Sequence, residues 1–357
     1  MTSRVRLAVG LPQTFAGGPV EVAKLRAFLQ RAEALGFESA WVVEQVLGSL
    51  ASLEPVELLA YASACTSRLR LGTAVLLTPL RSPVHLAKSL ATLDHLSSGR
   101  LIVGVGLGGN PRIYPAFGFG PERRVARFVE GLEVMRRLWT EPGVTFAGQF
   151  FRLDGATMMP KPLQQPHPPL WFGAHHPDAL RRAVVLAAGF MGAGSASTAT
   201  FAEEAVLLRR LCGESGRDPA TLDVGKRVYM AIDRDRDRAG RRLAQWFGAF
   251  YGRPALAAEV SVWGSSDEVA EGASGRGGGR RAPPHAEPRV RRAGALGGLR
   301  RRDRDSPLRC RAGGGNACPG ERGRCVAGDS APRADGARRP FSRPRGRRAW
   351  PGGRRGR

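Results

Sequence analysis

The chain has 357 residues, 55 Lys+Arg against 31 Asp+Glu, and a formal net charge of +24. That charge is concentrated: residues 272–357 hold 24 Arg, no Lys and 19 of the 47 Gly for a net of +18, whereas residues 1–271 are nearly balanced at +6. The start of the chain lacks a secretory h-region, and no apolar run approaches the ~18 residues of a membrane span, so a cytoplasmic chain with no membrane partner is expected.

Residues 5–233 alternate strand and helix signals. An apolar run at 5–11, stopped by Pro12, reads as a buried strand. Val22, Leu25, Phe28, Leu29, Ala32 and Leu35 then recur at helical spacing up to Gly36. Strands are expected at 39–44, 68–75, 100–107, 169–174, 189–193 and 223–232. Helices are expected at 55–64, 83–96, 123–139, 178–188 and 201–212. Residues 144–153, with Phe146, Phe150 and Phe151, read as an inserted hairpin. Short apolar strands alternating with helices mean parallel pairing. Seven of them within 271 residues favour a (β/α)8 TIM barrel, which typically takes about 250 residues. Chemistry in such a barrel sits at the strand C-termini: Gln13, Glu44-Gln45, 73–78, 106–110, 173–176, 192–195 and Asp233.

The tail has a different character. A helix begins near Ser266, with Ser265 or Ser266 as N-cap and acids in its first turn. After Glu271 it passes into Arg, Gly, Ala and Pro without period. Only Val290, Leu296, Leu299, Leu308, Val326, Phe341 and Trp350 are strongly apolar there. Such a segment is expected to be disordered, leaving residues 1–271 as a barrel domain that lacks strand eight. Its composition is that of a GC-rich gene read out of frame. The alternative is an Arg/Gly arm that binds nucleic acid through phosphate charge, but such arms repeat and interleave aromatics. Loss of the last barrel segment would leave the chain inactive. Cys65 and Cys212 are expected as reduced thiols, and no metal site is expected from the five Cys.

Several linked segments carry a resemblance. They are Ala32-Glu-Ala-Leu-Gly-Phe-Glu-Ser-Ala-Trp-Val, Thr66-Ser-Arg-Leu-Arg-Leu-Gly-Thr-Ala-Val, Leu93-Asp-His-Leu-Ser-Ser-Gly-Arg-Leu-Ile-Val-Gly-Val-Gly, Leu138-Trp-Thr-Glu, Phe150-Phe-Arg-Leu, Pro160-Lys-Pro and Ala187-Ala-Gly-Phe. In this order and spacing, over residues 4–271, the chain resembles the bacterial luciferase-like family of flavin- and deazaflavin-dependent oxidoreductases. The resemblance implies a TIM barrel that holds FMN, or the deazaflavin coenzyme F420, at its C-terminal face. It implies a monooxygenase that uses reduced FMN and O2 on a small organic substrate, fed by a flavin reductase, and a homodimer. The alternative is hydride transfer dependent on coenzyme F420.

The same resemblance places the cofactor at particular residues. At Thr73, Ala74 and Val75 it implies a bulge with a non-proline cis peptide between Ala74 and Val75; the other reading of Leu-Gly-Thr-Ala-Val is an ordinary buried strand. Gly104–Asn110 has the wrong glycine offset for a dinucleotide fingerprint. It reads either as a loop beside the cofactor, with Gly106 and Asn110 in contact, or as a plain glycine-rich turn. His175 and His176 stand in the family's phosphate-contacting turn, and either touch phosphate or face solvent. Gly194 and Ser195 suit the phosphate tail, although a basic residue common there in deazaflavin-using relatives is missing. Glu44 contacts the ring edge or substrate, or is a structural acid of the mouth. Gln45 replaces a family His proposed to carry a proton and cannot do so. Gly109 replaces an acid of some deazaflavin-dependent sugar-phosphate dehydrogenases. His85 is the other catalytic candidate, and His95 reads as structural.

Overall fold

The computed structural model describes residues 5–15, 19–274 and 290–296. Seven strands run parallel in one sheet: β1 (Leu7–Gly10), β2 (Ser39–Val42), β3 (Arg70–Thr73), β4 (Leu101–Gly106), β5 (Leu170–Phe172), β6 (Gly189–Gly192) and β7 (Asp223–Arg227). Pairing of β5 with β4 on one side and β6 on the other bends the sheet into a barrel wall. Helices α1 (Val22–Ala34), α2 (Pro55–Cys65), α3 (Pro83–Leu96), α4 (Arg124–Thr140), α5 (Pro177–Leu186) and α6 (Thr198–Glu214) cover the outside. Their apolar stripes form one continuous core with the outward faces of the strands, as the helical spacing requires. The expected hairpin is present, Val144–Ala147 against Arg152–Ala156.

The barrel interior is packed by Ala8, Trp41, Ile102, Trp171 and Met191. The two indoles lie 5.2 Å apart between ring centres. Glycines on neighbouring strands make the room. A Cβ on Gly72 would stand 2.5 Å from the Trp41 ring, and one on Gly189 would stand 2.3 Å from that of Trp171. Trp41 Nε1 donates to Ser39 Oγ at 2.9 Å, which satisfies the buried indole N–H.

Three features depart from the sequence-based expectations. The strand expected at 223–232 is broken at Val228, giving β7 and a separate strand, Tyr229–Ile232. That second strand pairs in parallel with Ser261–Gly264 and packs under α7 (Arg236–Tyr251), around Tyr229, Leu243 and Phe247. The third concerns strand eight. Composition predicts an open barrel with bare edges on β1 and β7, whereas the backbone of β8 (Val290–Leu296) stands in that gap, parallel to both. The physical reason is that two bare edges present rows of N–H and C=O groups that any extended backbone can satisfy. A count of apolar side chains does not register that. The composition boundary after Glu271 falls inside α8 (Ser266–Ser274). The expectation of disorder beyond that helix concerns residues that otherwise lie outside the described ones.

Candidate active site

The C-terminal ends of the strands converge at one mouth. On the strand-three side, Ala74–Val75 is a non-proline cis peptide, as the resemblance implies. Thr73 Oγ1 donates to Gly104 O (2.8 Å) and accepts from Gly104 N (2.9 Å), which spends its hydroxyl on joining β3 to β4. The Val75 side chain wedges between two strand ends: a Cβ on Gly106 would lie 2.6 Å from it, and one on Gly173 would lie 2.7 Å away. Glycine at both places lets Val75 form an apolar floor.

Glu44 at the end of β2 has a fully buried side chain. Its Oε2 accepts from Leu77 N, and its Oε1 accepts from Arg81, whose Nε lies 3.0 Å away. Arg81 also bonds Glu54. With both oxygens engaged, Glu44 holds the segment after the cis peptide. Gln45 beside it leaves Oε1 buried without a partner. Gln13 is structural, donating Nε2 to Val43 O and Leu53 O and accepting from Val43 N.

After β4, Asn110 is exposed and its Oδ1 caps the turn Pro111–Phe117 through Arg112 N (3.1 Å). Buried Tyr114 in that turn donates to Leu107 O at 2.6 Å and so pins it back to the strand. After β5, His175 Nδ1 lies 2.9 Å from Glu204 Oε1 on α6. His176 is the exposed N-cap of α5, with Nδ1 accepting from Asp178 N at 3.3 Å. Gly194 and Ser195 lie in the turn before α6, whose N-cap is Ser197. His85 is exposed on the first turn of α3, where its backbone N donates to Ser82 Oγ. His95 bonds Lys161 O with Nε2 at 2.8 Å, consistent with a structural role.

Two cations at the end of β7 were not singled out from sequence. Lys226 is buried and donates Nζ to Ala193 O (2.8 Å) and Ala196 O (2.6 Å), pinning the turn that holds Gly194 and Ser195. Burial above all, and then its charged neighbour Arg227, push its ammonium down to about 8; Glu204 works in the opposite direction. Arg227 donates Nη1 to Ala74 O (3.3 Å) and Nη2 to the Tyr251 hydroxyl (3.0 Å), and stacks 5.2 Å from the Tyr229 ring centre. Burial alone would pull the guanidinium down, but the phenol oxygens of Tyr229 and Tyr251 outweigh it and raise it. Burial pushes the Tyr229 phenol well up. The missed signal was Gly-Lys-Arg-Val-Tyr at 225–229, because consecutive cations ending a buried strand need a partner. Glu204 was missed in the same way. It stands between Phe201, Ala205 and Leu208 on the apolar face of α6, and its Oε2 is buried without a partner.

A polar cofactor fits this mouth. Among the described residues, seven buried side-chain atoms lack a hydrogen-bond partner; Gln45 Oε1, Thr78 Oγ1 and Arg227 Nε lie at or within a few residues of strand C-termini and Glu204 Oε2 on the helix facing His175, while Ser52 Oγ, Arg127 Nε and Ser261 Oγ lie elsewhere. Buried polar groups are ordinarily paired, so a cluster of unpaired ones at one end of a barrel is what a site for a polar ligand presents.

Fold and mouth together define an α/β barrel with one candidate site built from strand ends and βα loops. A model of the luciferase-like monooxygenase family matches residues 2–328, and the chain belongs to that family. An uncharacterized protein of Mycobacterium tuberculosis is 47% identical over 123 residues, 34% of this chain, and the chain spans 43% of that relative. An F420-dependent glucose-6-phosphate dehydrogenase of Nakamurella multipartita is 32% identical over 237 residues, 64% of this chain and 68% of the relative. Among solved structures, a monooxygenase from Streptomyces bottropensis superposes with a TM-score of 0.63 at 29% identity, over 76% of this chain and 88% of its own. An F420-dependent secondary alcohol dehydrogenase superposes with a TM-score of 0.69 at 21% identity, over 82% and 94%, and speaks for the fold alone. The family is one of oxidoreductases, with relatives that use FMN or coenzyme F420.

Proposed function

We propose that this chain is a monooxygenase using reduced FMN and O2 on a small organic substrate. The observation that carries this reading is that, among the described residues, neither side chain ending the β2 segment is a free acid or base. Glu44 is bonded through both oxygens, and Gln45 has no proton to transfer. A cofactor-centred oxidation asks the protein mainly to hold the ring and exclude water. Val75 would floor the ring. The cis-peptide segment and the Gly194–Ser195 turn would flank it, and His175, His176 and the start of α6 would face its phosphate. When bound, the flavin supplies the redox chemistry.

Equilibrium dialysis against FMN, coenzyme F420 and NAD tests this reading, followed by O2 uptake with reduced FMN. FMN binding with O2 uptake supports it. F420 binding with hydride transfer under nitrogen and no O2 uptake supports the second reading, which the F420-dependent dehydrogenase relatives favour. Gly109 and Gln45 argue against that subclass. A separate flavin reductase and a homodimer belong to the same proposal; the family match running to residue 328 speaks against an out-of-frame origin of residues 272–328. Translating the gene around codon 271 in all three frames tests that origin. Deleting residues 297–357, which leaves β8 in place, would abolish function only if a nucleic-acid-binding arm were the working part.

A further inference from the structure

The mouth contains a cation that the cofactor assignment from sequence does not use. Arg227 ends β7, yet its guanidinium reaches across to the far side of the barrel, where Nη1 donates to the carbonyl of Ala74, 153 residues away. On its other side it abuts the turn after β6, where a Cβ on Gly194 would stand 2.7 Å from Arg227 Nε. The charge therefore lies between the two segments, Ala74–Val75 and Gly194–Ser195, that would flank the ring. Tyr251 holds it through Nη2, and Tyr251 is itself 2.8 Å from the Tyr229 hydroxyl. Nε is buried and has no partner. Among the described residues no carboxylate pairs with this guanidinium; its partners are the Ala74 carbonyl and the phenols of Tyr251 and Tyr229. A half-buried cation with no carboxylate to balance it, lying beside the two segments that would flank the ring, calls for an anion.

We propose that Arg227 is the anion-holding residue of the mouth, and that the anion it holds is the reduced flavin ring. Two-electron reduction of FMN adds two electrons and one proton, at N5, so the ring gains one net negative charge. In the proposed reaction a separate reductase supplies those electrons; in the test dithionite supplies them. A fixed cation in a partly desolvated site stabilises the charged, reduced form over the neutral, oxidised ring. Tyr251 acts as a positioning residue that aims the guanidinium. The inference rests on the flavin reading above.

The test is the ratio of dissociation constants for oxidised and dithionite-reduced FMN, measured anaerobically on the full-length protein and on R227Q, R227K and Y251F. The wild type should bind reduced FMN the more tightly. R227Q should lower that preference by about ten-fold, which for two electrons is a downward shift of about 30 mV in the potential of bound FMN. R227K, which keeps the charge, should retain most of the preference, and Y251F should fall between the two. Equal affinity of the wild type for the two redox states overturns the inference without recourse to any variant. So does R227Q that binds FMN with an unchanged ratio. Failure of the wild type to bind FMN in either state overturns the flavin reading itself, which distinguishes the two failures.

Discussion

The two ends of the barrel treat their buried polar groups in opposite ways. At the N-terminal end the polar groups of buried Asp94 and of half-buried Arg100 and Glu33 are hydrogen-bonded. Arg100 donates to the carbonyls of Ser63, Thr66, Leu69 and Ser97 and to Thr66 Oγ1. Asp94 is closed by the backbone and side-chain amides of Gln164. Glu33 Oε1 accepts three consecutive backbone N–H groups, from Ser67, Arg68 and Leu69. These N–H bonds outweigh burial and hold its carboxyl below the usual range. At the C-terminal end, Gln45, Thr78, Glu204 and Arg227 each keep a buried atom unpaired. The closed end is built for stability and the open end retains unspent polar groups for a ligand, a division that TIM barrels as a class display.

Substitutions should separate the two ends. The largest effect is expected in the wall that joins them. A Cβ on Gly104 would stand 1.7 Å from the Thr73 carbonyl oxygen, a backbone atom that cannot step aside. G104A should yield no soluble folded protein, as judged by circular dichroism of the soluble fraction. Next is R100A at the closed end, which strands four carbonyls at once. A loss of about 2–4 kcal/mol in urea unfolding is expected, with FMN affinity per folded molecule unchanged. A closed-end variant that altered affinity without altering stability would blur the division.

The mouth should respond to pH instead. Lys226 sits at about 8 in the folded protein, below the ordinary lysine value. Between those two values the unfolded chain holds the proton that the folded chain has released, so stability rises with pH across that window. Wild-type unfolding free energy should climb relative to K226M by about 2 kcal/mol from pH 8 to 10.5. A flat difference would show that Lys226 is not desolvated. The smallest effect is expected from Q45A, which removes an acceptor that has no partner to lose. Its melting should shift by no more than about 0.5 kcal/mol of stability in either direction. A large loss would place Gln45 among the structural groups.

Much of the barrel was legible in the sequence because its elements are local. Pro83–Leu96 forms between the residues where periodicity set it. Gly36 ends α1 with φ +78, and the hairpin follows its phenylalanines. The Ala74–Val75 peptide was reached through the resemblance, not through spacing. What sequence did not reveal depended on contacts between distant residues. The Arg227–Ala74 bond, the Glu204–His175 pair and the Lys226 grip on residues 193–196 join segments that lie far apart along the chain. No window on the chain contains both partners, so neither period nor composition can register them. The break at Val228 and the seating of Val290–Leu296 between β1 and β7 are of the same kind. The sequence determined which segments become strands and helices, since side-chain spacing acts within a few residues. Only the tertiary structure decided which polar groups are spent and which remain free at the mouth, since that depends on what the closed barrel brings opposite each of them.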